Sequence, residues 1–313
     1  MVFLSILGPM FIMASITVIG YIIAKNNEVT DSSKQLFINI MINVAVPCLI
    51  LDGAFKTKVG KELISQLIII FIFAIIISLL GLLFGWIFAR IFKYSSSNAR
   101  KIALISGLGN TGFIGIPLCA AIFGPKGALL AAAFDSGLGI ILFTVAIALL
   151  QEGYQFSLAT LKQLVNPPII SIVIALFIII AGVQPPEIIK QLNGMLASLA
   201  TPLGMIYIGI LIRMMIKQKG AISISRLTVP ILLKLIIFPI LTIVILVFTN
   251  FSMMTKQVII IQVAMPTMTM APVLLARYTQ DEEMGVKAAV FSTICAILTV
   301  PFIVFLGSKL LEN

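Results

Sequence analysis

The sequence predicts an all-α membrane protein with ten transmembrane helices, arranged as two five-helix inverted repeats. Three observations predict this fold: the composition, ten apolar segments of membrane-spanning length, and features shared by the two halves. Of the 313 residues, 60% are hydrophobic and 10% are charged. A soluble domain carries about 25% charged residues because its surface must be solvated. Most of the surface of this chain is therefore expected to face lipid.

Each predicted helix is an apolar run long enough to cross a bilayer. A helix needs roughly 20 apolar residues to span a hydrocarbon core of about 30 Å. By that measure, the spans lie near residues 3–24, 33–53, 63–90, 101–123, 127–150, 167–184, 195–216, 226–249, 257–277 and 285–310. The connections are short, so no soluble domain is expected between spans. The first span lacks the basic region that opens a signal peptide, and we expect it to be retained.

The basic residues predict the orientation of the chain. Loops on the cytoplasmic side of membrane proteins are enriched in Lys and Arg. Most of the loop lysines and arginines fall in the odd-numbered loops, above all in those after spans 3 and 7. We therefore expect a multi-pass protein of the cell membrane with cytoplasmic odd-numbered loops and both termini outside. The net charge of +10 is scattered over these short loops, so it does not indicate nucleic-acid binding.

The two halves of the chain resemble each other. The predicted repeats are residues 1–153 and 162–313, with five spans each, and an odd number of spans turns the second half upside down relative to the first. The halves share Pro47 with Pro202, the eight residues 110–117 with 265–272, and AAAFDS (131–136) with AAVFST (288–293).

Spans 4 and 9 are predicted to be interrupted helices. Residues 107–117 read GLGNTGFIGIP, and span 9 carries Pro266 and Pro272. Proline removes a backbone hydrogen bond from a helix, and lipid tolerates freed backbone groups only where they face protein or a water-filled cavity. Paired broken helices in inverted halves indicate a substrate site near the midplane, where helix N-termini favour an anion. The alternative is a pair of kinked helices that only pack.

Residues Asn110–Pro117 resemble the N-x-G-[FNY]-[ILM]-G-x-P signature of the auxin efflux carrier family, which holds plant PIN-type exporters and bacterial permeases, malate permeases among them. The segment Asn43–Pro47 in span 2 is similar to the family's second helix. In span 9, Pro266, Pro272–Val273 and Tyr278 are similar to the ninth helix.

The resemblance implies that the spans form two domains with different roles. Spans 1, 2, 6 and 7 would form a scaffold and a homodimer interface, and spans 3–5 and 8–10 would form a transport domain. Helices 4 and 9 would be broken and cross near the membrane centre, and the two domains would slide in an elevator-type cycle. Met265 and Met270 stand where the plant exporters have an asparagine beside the proline, so the plant substrate is not carried over.

We expect a secondary transporter for a small organic anion, working by alternating access in the lipid bilayer and coupled to H⁺ or Na⁺ or running as an exchanger. Pro117 and Pro272 are expected to create the breaks, and the hydroxyl of Thr269 is a further candidate beside the second break. The amide of Asn110 would cap a half-helix or bind a substrate carboxylate. The candidate substrate-binding residues are Asn110, Thr111, Gly112, Pro117, Gln262, Pro266, Thr267, Pro272 and Asn43.

Asp135 and Lys234 are the candidate coupling charges inside the spans. A charge at the bilayer centre costs about 2.5–3.5 kcal/mol on insertion scales, so it is a functional candidate by default. Asp135 would carry a coupling proton, bind Na⁺ or pair within the protein. Lys234 would extend along its helix to the cytoplasmic surface, pair with Asp135 or counter an anionic solute.

Other function classes fit the sequence less well. A membrane sensor or receptor would need a signalling domain, and a channel-like pore would conduct far faster than a moving domain. An enzyme is not expected, because HExxH, GxSxG and histidine are absent from the sequence. Neither a cofactor nor a metal is expected, since Cys48, Cys119 and Cys295 have no metal-binding or disulfide spacing.

Overall fold

A computed structural model describes residues 2–56, 60–151, 166–217 and 225–311. Within these ranges the chain is helical and contains no β-strand, which confirms the all-α prediction. A helix satisfies its own backbone hydrogen bonds, as lipid requires. Residues 154–161, which join the two predicted repeats, lie outside the described residues.

Three π-helical turns precede helices of the first half. Gly124 interrupts α6 with a φ of 68°, a left-handed conformation that glycine adopts at little cost. The π-helical turns are Met41–Ala45, Thr111–Gly115 and Leu142–Ala146. The helices are α1 (Val2–Asn26), α2 (Asp31–Ile40), α3 (Val46–Lys56), α4 (Lys61–Ile91), α5 (Ser96–Gly107), α6 (Ile116–Ile141) and α7 (Ile147–Leu150).

Two helices of the second half begin at residues whose side chains cap the helix N-terminus. The side chains of Asn166 and Ser252 accept hydrogen bonds from Ile169 N and Thr255 N at two helix starts, as N-cap residues do. A π-helical turn, Leu233–Ile237, joins α11 to α12. The helices are α8 (Pro167–Ala181), α9 (Glu187–Ala197), α10 (Ala200–Lys217), α11 (Ser225–Leu232), α12 (Phe238–Val247), α13 (Met253–Ala264), α14 (Ala271–Thr279) and α15 (Glu282–Leu311).

Several helical stretches are long and apolar enough to cross a membrane. Six such stretches are Ser32–Lys56, Glu62–Ile91, Thr111–Leu150, Glu187–Met214, Leu227–Val247 and Glu282–Leu311. Shorter apolar helices are Phe11–Asn26, Pro167–Ala181 and Met253–Ala264. The seventh predicted span starts late, at 195, because the polar residues Lys190 and Asn193 dilute the apolar character of α9. The count of ten spans and their inverted arrangement stay predictions.

The chain forms two compact units, and each unit takes segments from both halves of the sequence. The first unit comprises Met1–Ile70, Gly112–Ser136 and Val165–Gln218, and the second comprises Phe71–Thr111, Gly137–Leu164 and Lys219–Asn313. In the first unit, α1 packs along α10, and α3 packs against α8 and α9. In the second unit, α15 packs against α13 and α14.

Glycines bring α1 and α10 into close contact within the first unit. A Cβ atom on Gly209 would overlap the carbonyl oxygen of Thr17, and one on Gly20 would overlap the carbonyl oxygen of Ile206. Small residues let the backbones of membrane helices approach in this way, which increases dispersion contact between them.

The substitution Gly209→Ala is expected to destabilise the protein, because the added methyl group must push the two helices apart. Overpacking of this kind costs about 1–3 kcal/mol. Gly8→Ala in the facing helix, α1, is the control, since no atom lies within 4 Å of its added Cβ. Thermal unfolding in detergent, followed by circular dichroism, measures both variants. Equal midpoints for the two variants would contradict the close packing of α1 on α10.

Candidate substrate site

The first interruption lies in the predicted fourth span. Helix α5 ends at Gly107, Leu108 is extended with φ −110° and ψ 132°, and the helix resumes at Thr111. The prediction that Pro117 creates this break is wrong, because Pro117 lies in the first turn of α6, beyond the π-helical turn. A π-helical turn shifts the hydrogen-bond register, which leaves room for a residue without an N–H.

The second interruption lies in the predicted ninth span. Helix α13 ends at Ala264, Met265 is extended with φ −61° and ψ 144°, and α14 begins at Ala271. Pro266 lies within this break. Pro272 lies in the first turn of α14, where its missing N–H costs nothing because the first N–H groups of a helix have no intrahelical partner.

The two interruptions bind each other inside the second unit. Gly109 and Thr267 face each other as an isolated antiparallel bridge. The backbone N–H of Asn110 donates to the carbonyl oxygen of Pro266 at 2.7 Å. The hydroxyl of Thr267 donates to the carbonyl oxygen of Ile105 at 2.9 Å. Backbone groups freed by each break are thus satisfied by the other, which an apolar environment demands.

Ser292 of α15 supports the second break and is not among the site residues predicted from the sequence. The backbone N–H of Thr267 donates to Ser292 Oγ at 3.0 Å, and that hydroxyl donates to the carbonyl oxygen of Ala289 at 3.1 Å. Thr267 and Ser292 are both fully buried. The signal was present in the repeat, because Ser292 stands in AAVFST at the place of Asp135 in AAAFDS.

Asp135 occupies the corresponding place in the first half. A Cβ atom on Gly112 would lie 3.1 Å from Asp135 Oδ2, so the carboxylate is next to the backbone of Gly112. In the matched segments 110–117 and 265–272, Gly112 corresponds to Thr267. Each half therefore places a polar side chain against the same position of its interrupted helix. Near the start of a helix, a carboxylate is stabilised by the helix dipole.

Lys234 lies against both interruptions. Its side chain is 2% exposed, and its Nζ donates to the carbonyl oxygen of Val263, in the last turn of α13, at 3.2 Å. A Cβ atom on Gly109 would lie 3.0 Å from the same Nζ, and the ring of Phe238 is centred 5.9 Å away. The prediction that Lys234 extends to the cytoplasmic surface is therefore wrong, since buried backbone oxygens draw the ammonium inward.

The other predicted residues have different surroundings. Gln262 is fully buried, and both Asn110 and Thr111 are buried. Asn43 is exposed in the π-helical turn of the first unit, and Thr269 is half-buried. The structure thus brings together Asn110, Pro266, Thr267 and Lys234, and separately Gly112 and Asp135. Contact of any of them with a solute stays a prediction.

The substitution Thr267→Val is expected to lower the free energy of unfolding by about 1 kcal/mol, because it removes the hydroxyl that joins the two breaks. Thr242→Val is the matched control, since the hydroxyl of the fully buried Thr242 donates only to Phe238 O in its own helix. Thermal unfolding in detergent measures the difference. A midpoint for Thr267→Val at or above that of Thr242→Val would contradict a stabilising role for the Thr267–Ile105 bond.

Comparisons with known proteins agree with this architecture. The family model described as "Membrane transport protein" matches residues 5–304. A protein of Methanothermobacter thermautotrophicus, described as an uncharacterized transporter, is 23% identical over 302 residues, which cover 96% of this chain and 98% of the relative. An uncharacterized transporter of Methanocaldococcus jannaschii is 24% identical over 301 residues, which cover 92% of this chain and 94% of the relative. The chain therefore belongs to the membrane transport protein family that includes the auxin efflux carriers.

Proposed function

We propose that this protein is a secondary active transporter that moves a small organic anion across the membrane by alternating access. The observation that carries the proposal is the hydrogen-bonded pair of helix interruptions, with the Asn110 N–H bonded to Pro266 O at 2.7 Å. Interrupted helices at the repeat interface are a recurrent way to build a substrate site inside a membrane. Membership in a family of membrane transport proteins supports the same function.

The chemistry of the interruptions favours an anion. After the breaks, the helices resume at Thr111 and Ala271, and the N-terminal end of a helix carries a partial positive charge. This charge attracts a carboxylate. The candidate recognition groups, among them the side chain of Asn110 and the backbone at Thr111, are neutral. Neutral donors suit a solute that must be released in every cycle, because they bind an anion less tightly than a fixed cation would.

Asp135 is the proposed coupling group. Its carboxylate lies beside Gly112 and is partly exposed, at the start of the helix that follows the first break. A negative charge there would repel an anionic solute, and a bound proton would remove that repulsion. Coupling to H⁺ through Asp135 follows from this position, with the proton and the anion moving together.

The movement we propose is elevator-like. Hydrogen bonds from Lys234, Thr267 and Asn110 join the predicted spans 4, 8 and 9, and Ser292 adds span 10. Segments joined in this way would move as one body. Spans 3–5 and 8–10 would form this transport domain, and spans 1, 2, 6 and 7 would form the scaffold and the homodimer interface. The odd-numbered loops would be cytoplasmic and both termini outside.

Transport in proteoliposomes tests the proposed function. Liposomes loaded with unlabelled malate, succinate, lactate or indole acetate, with empty liposomes as the blank, are given the labelled acid outside. Saturable exchange of at least one acid is expected. Single-channel currents across a planar bilayer, with no saturable exchange, would contradict the proposal and favour a pore.

The substitution Asn110→Ala is expected to raise the KM for the transported anion roughly tenfold, because a hydrogen bond to a charged group contributes about 1.5–3 kcal/mol. The bond from the Asn110 backbone to Pro266 is retained in this variant, so the effect reports the side chain. Asn98→Ala, in the first turn of α5, is the matched control. Kinetics of exchange that are the same for Asn110→Ala, Asn98→Ala and wild type would contradict a substrate contact by Asn110.

The substitution Asp135→Asn is expected to abolish stimulation by a pH gradient while exchange without a gradient continues, because an amide carries no titratable proton. Wild type should take up the anion faster when the outside is acidic. Glu187→Gln is the matched control, since Glu187 is an exposed carboxylate in the first turn of α9. A gradient effect of equal size in Asp135→Asn and wild type would rule out Asp135 as the coupling group.

A further inference from the structure

Lys234 stands where the C-terminal ends of two interrupted helices meet. Helix α13 ends at Ala264, one residue after Val263, whose carbonyl oxygen accepts the hydrogen bond from Nζ at 3.2 Å. Helix α5 ends at Gly107, two residues before Gly109, whose backbone faces the same ammonium. The carbonyl oxygen of Met265 also lies 3.2 Å from the place of a Gly109 Cβ atom. The ammonium thus binds one carbonyl oxygen of the second break, that of Val263, and Gly109 lies against both the ammonium and the carbonyl oxygen of Met265.

The electrostatics of this junction favour a positive charge. The C-terminal end of a helix carries a partial charge equivalent to about −0.5. Two such ends that meet in a buried place repel each other, and their last carbonyl groups have no intrahelical donor. One buried ammonium offsets both partial charges, and it donates a hydrogen bond to the carbonyl oxygen of Val263. Among the described neighbours, the aromatic ring of Phe238 adds a weaker attraction.

We propose that Lys234 is a resident cation that occupies the place of a coupling Na⁺ at the crossing of the interrupted helices. Unwound carbonyl groups and half-helix C-terminal ends are the groups that coordinate Na⁺ in other transporters with broken helices. Here the ammonium of Lys234 already binds such a carbonyl group. The inference rests on the proposed transport function and extends it, since it assigns a Na⁺-independent cycle to the crossing and makes Lys234 a positioning residue for the site.

Thermal unfolding of the purified full-length protein in detergent tests the inference without any substrate. Wild type is expected to have the same midpoint, within about 1 °C, in NaCl, KCl and choline chloride at equal ionic strength. Lys234→Met removes the charge but keeps the length of the side chain. Its midpoint is expected to fall by roughly 5 °C in KCl and choline chloride, and NaCl should restore part of this loss because Na⁺ enters the vacated place.

Lys256→Met is the control, because Lys256 lies in the first turn of α13, far from the C-terminal end of that helix, which Lys234 contacts. Its midpoint should not depend on the cation. A Lys234→Met midpoint that is lowered equally in all three salts shows a structural role alone and overturns the proposal, and so does an unchanged midpoint. If Lys234→Met cannot be purified, a Na⁺ titration of wild type decides, since saturable stabilisation by Na⁺ would overturn the proposal and a flat titration supports it.

The outcome of the thermal unfolding experiment does not depend on whether the protein transports organic anions. A protein that fails to exchange organic acids can still show a Na⁺-specific recovery of the Lys234→Met midpoint. That result would support Lys234 as a resident cation and contradict only the proposed transport of organic anions. Conversely, saturable anion exchange together with stabilisation of wild type by Na⁺ would support the proposed transport and contradict the proposal that Lys234 is a resident cation.

Discussion

The hydrogen bond from the Asn110 N–H to the Pro266 carbonyl oxygen, at 2.7 Å, is the interaction on which the rest of the second unit depends. Lipid offers no partner to a backbone group, so a helix can be interrupted inside a membrane only where another part of the protein supplies the missing bonds. In this chain, the first break supplies them to the second. Thr267 adds a side-chain bond to Ile105, and Ser292 accepts a hydrogen bond from the Thr267 N–H. Each interruption thus supplies hydrogen bonds to the other.

This arrangement also separates charge along the interrupted helices. Carbonyl groups gather where α5 and α13 end, and the ammonium of Lys234 lies there. N–H groups gather where the chain becomes helical again, at Thr111 and Ala271. A fixed cation thus balances the negative ends, whereas the positive ends attract the proposed anion and, in the first half, the carboxylate of Asp135. The proposed selectivity for anions follows from the direction of the helices rather than from an excess of basic side chains.

The helices and the two interruptions could be predicted from the sequence, because apolar composition and the glycine and proline content affect the backbone locally. Apolar length predicted helices, and GLGNTGFIGIP and the prolines of the second half predicted the two interruptions. The role of Pro117 in creating the first break was predicted wrongly, because the π-helical turn before α6 accommodates Pro117. The direction of the Lys234 side chain could not be predicted either, since it depends on how neighbouring helices pack and which carbonyl groups they present. Ser292 is visible only when the halves are compared residue by residue.

The most direct test of the account is a cryo-electron microscopy map of the protein in lipid nanodiscs with a transported anion bound. The quantity to measure is the distance between the Asn110 nitrogen and the Pro266 carbonyl oxygen, together with the position of the anion. The account predicts a separation of about 3 Å, within hydrogen-bond range, and anion density beside the backbone at Thr111. An unbroken helix through residues 107–111, or anion density only at a place remote from both interruptions, would contradict it.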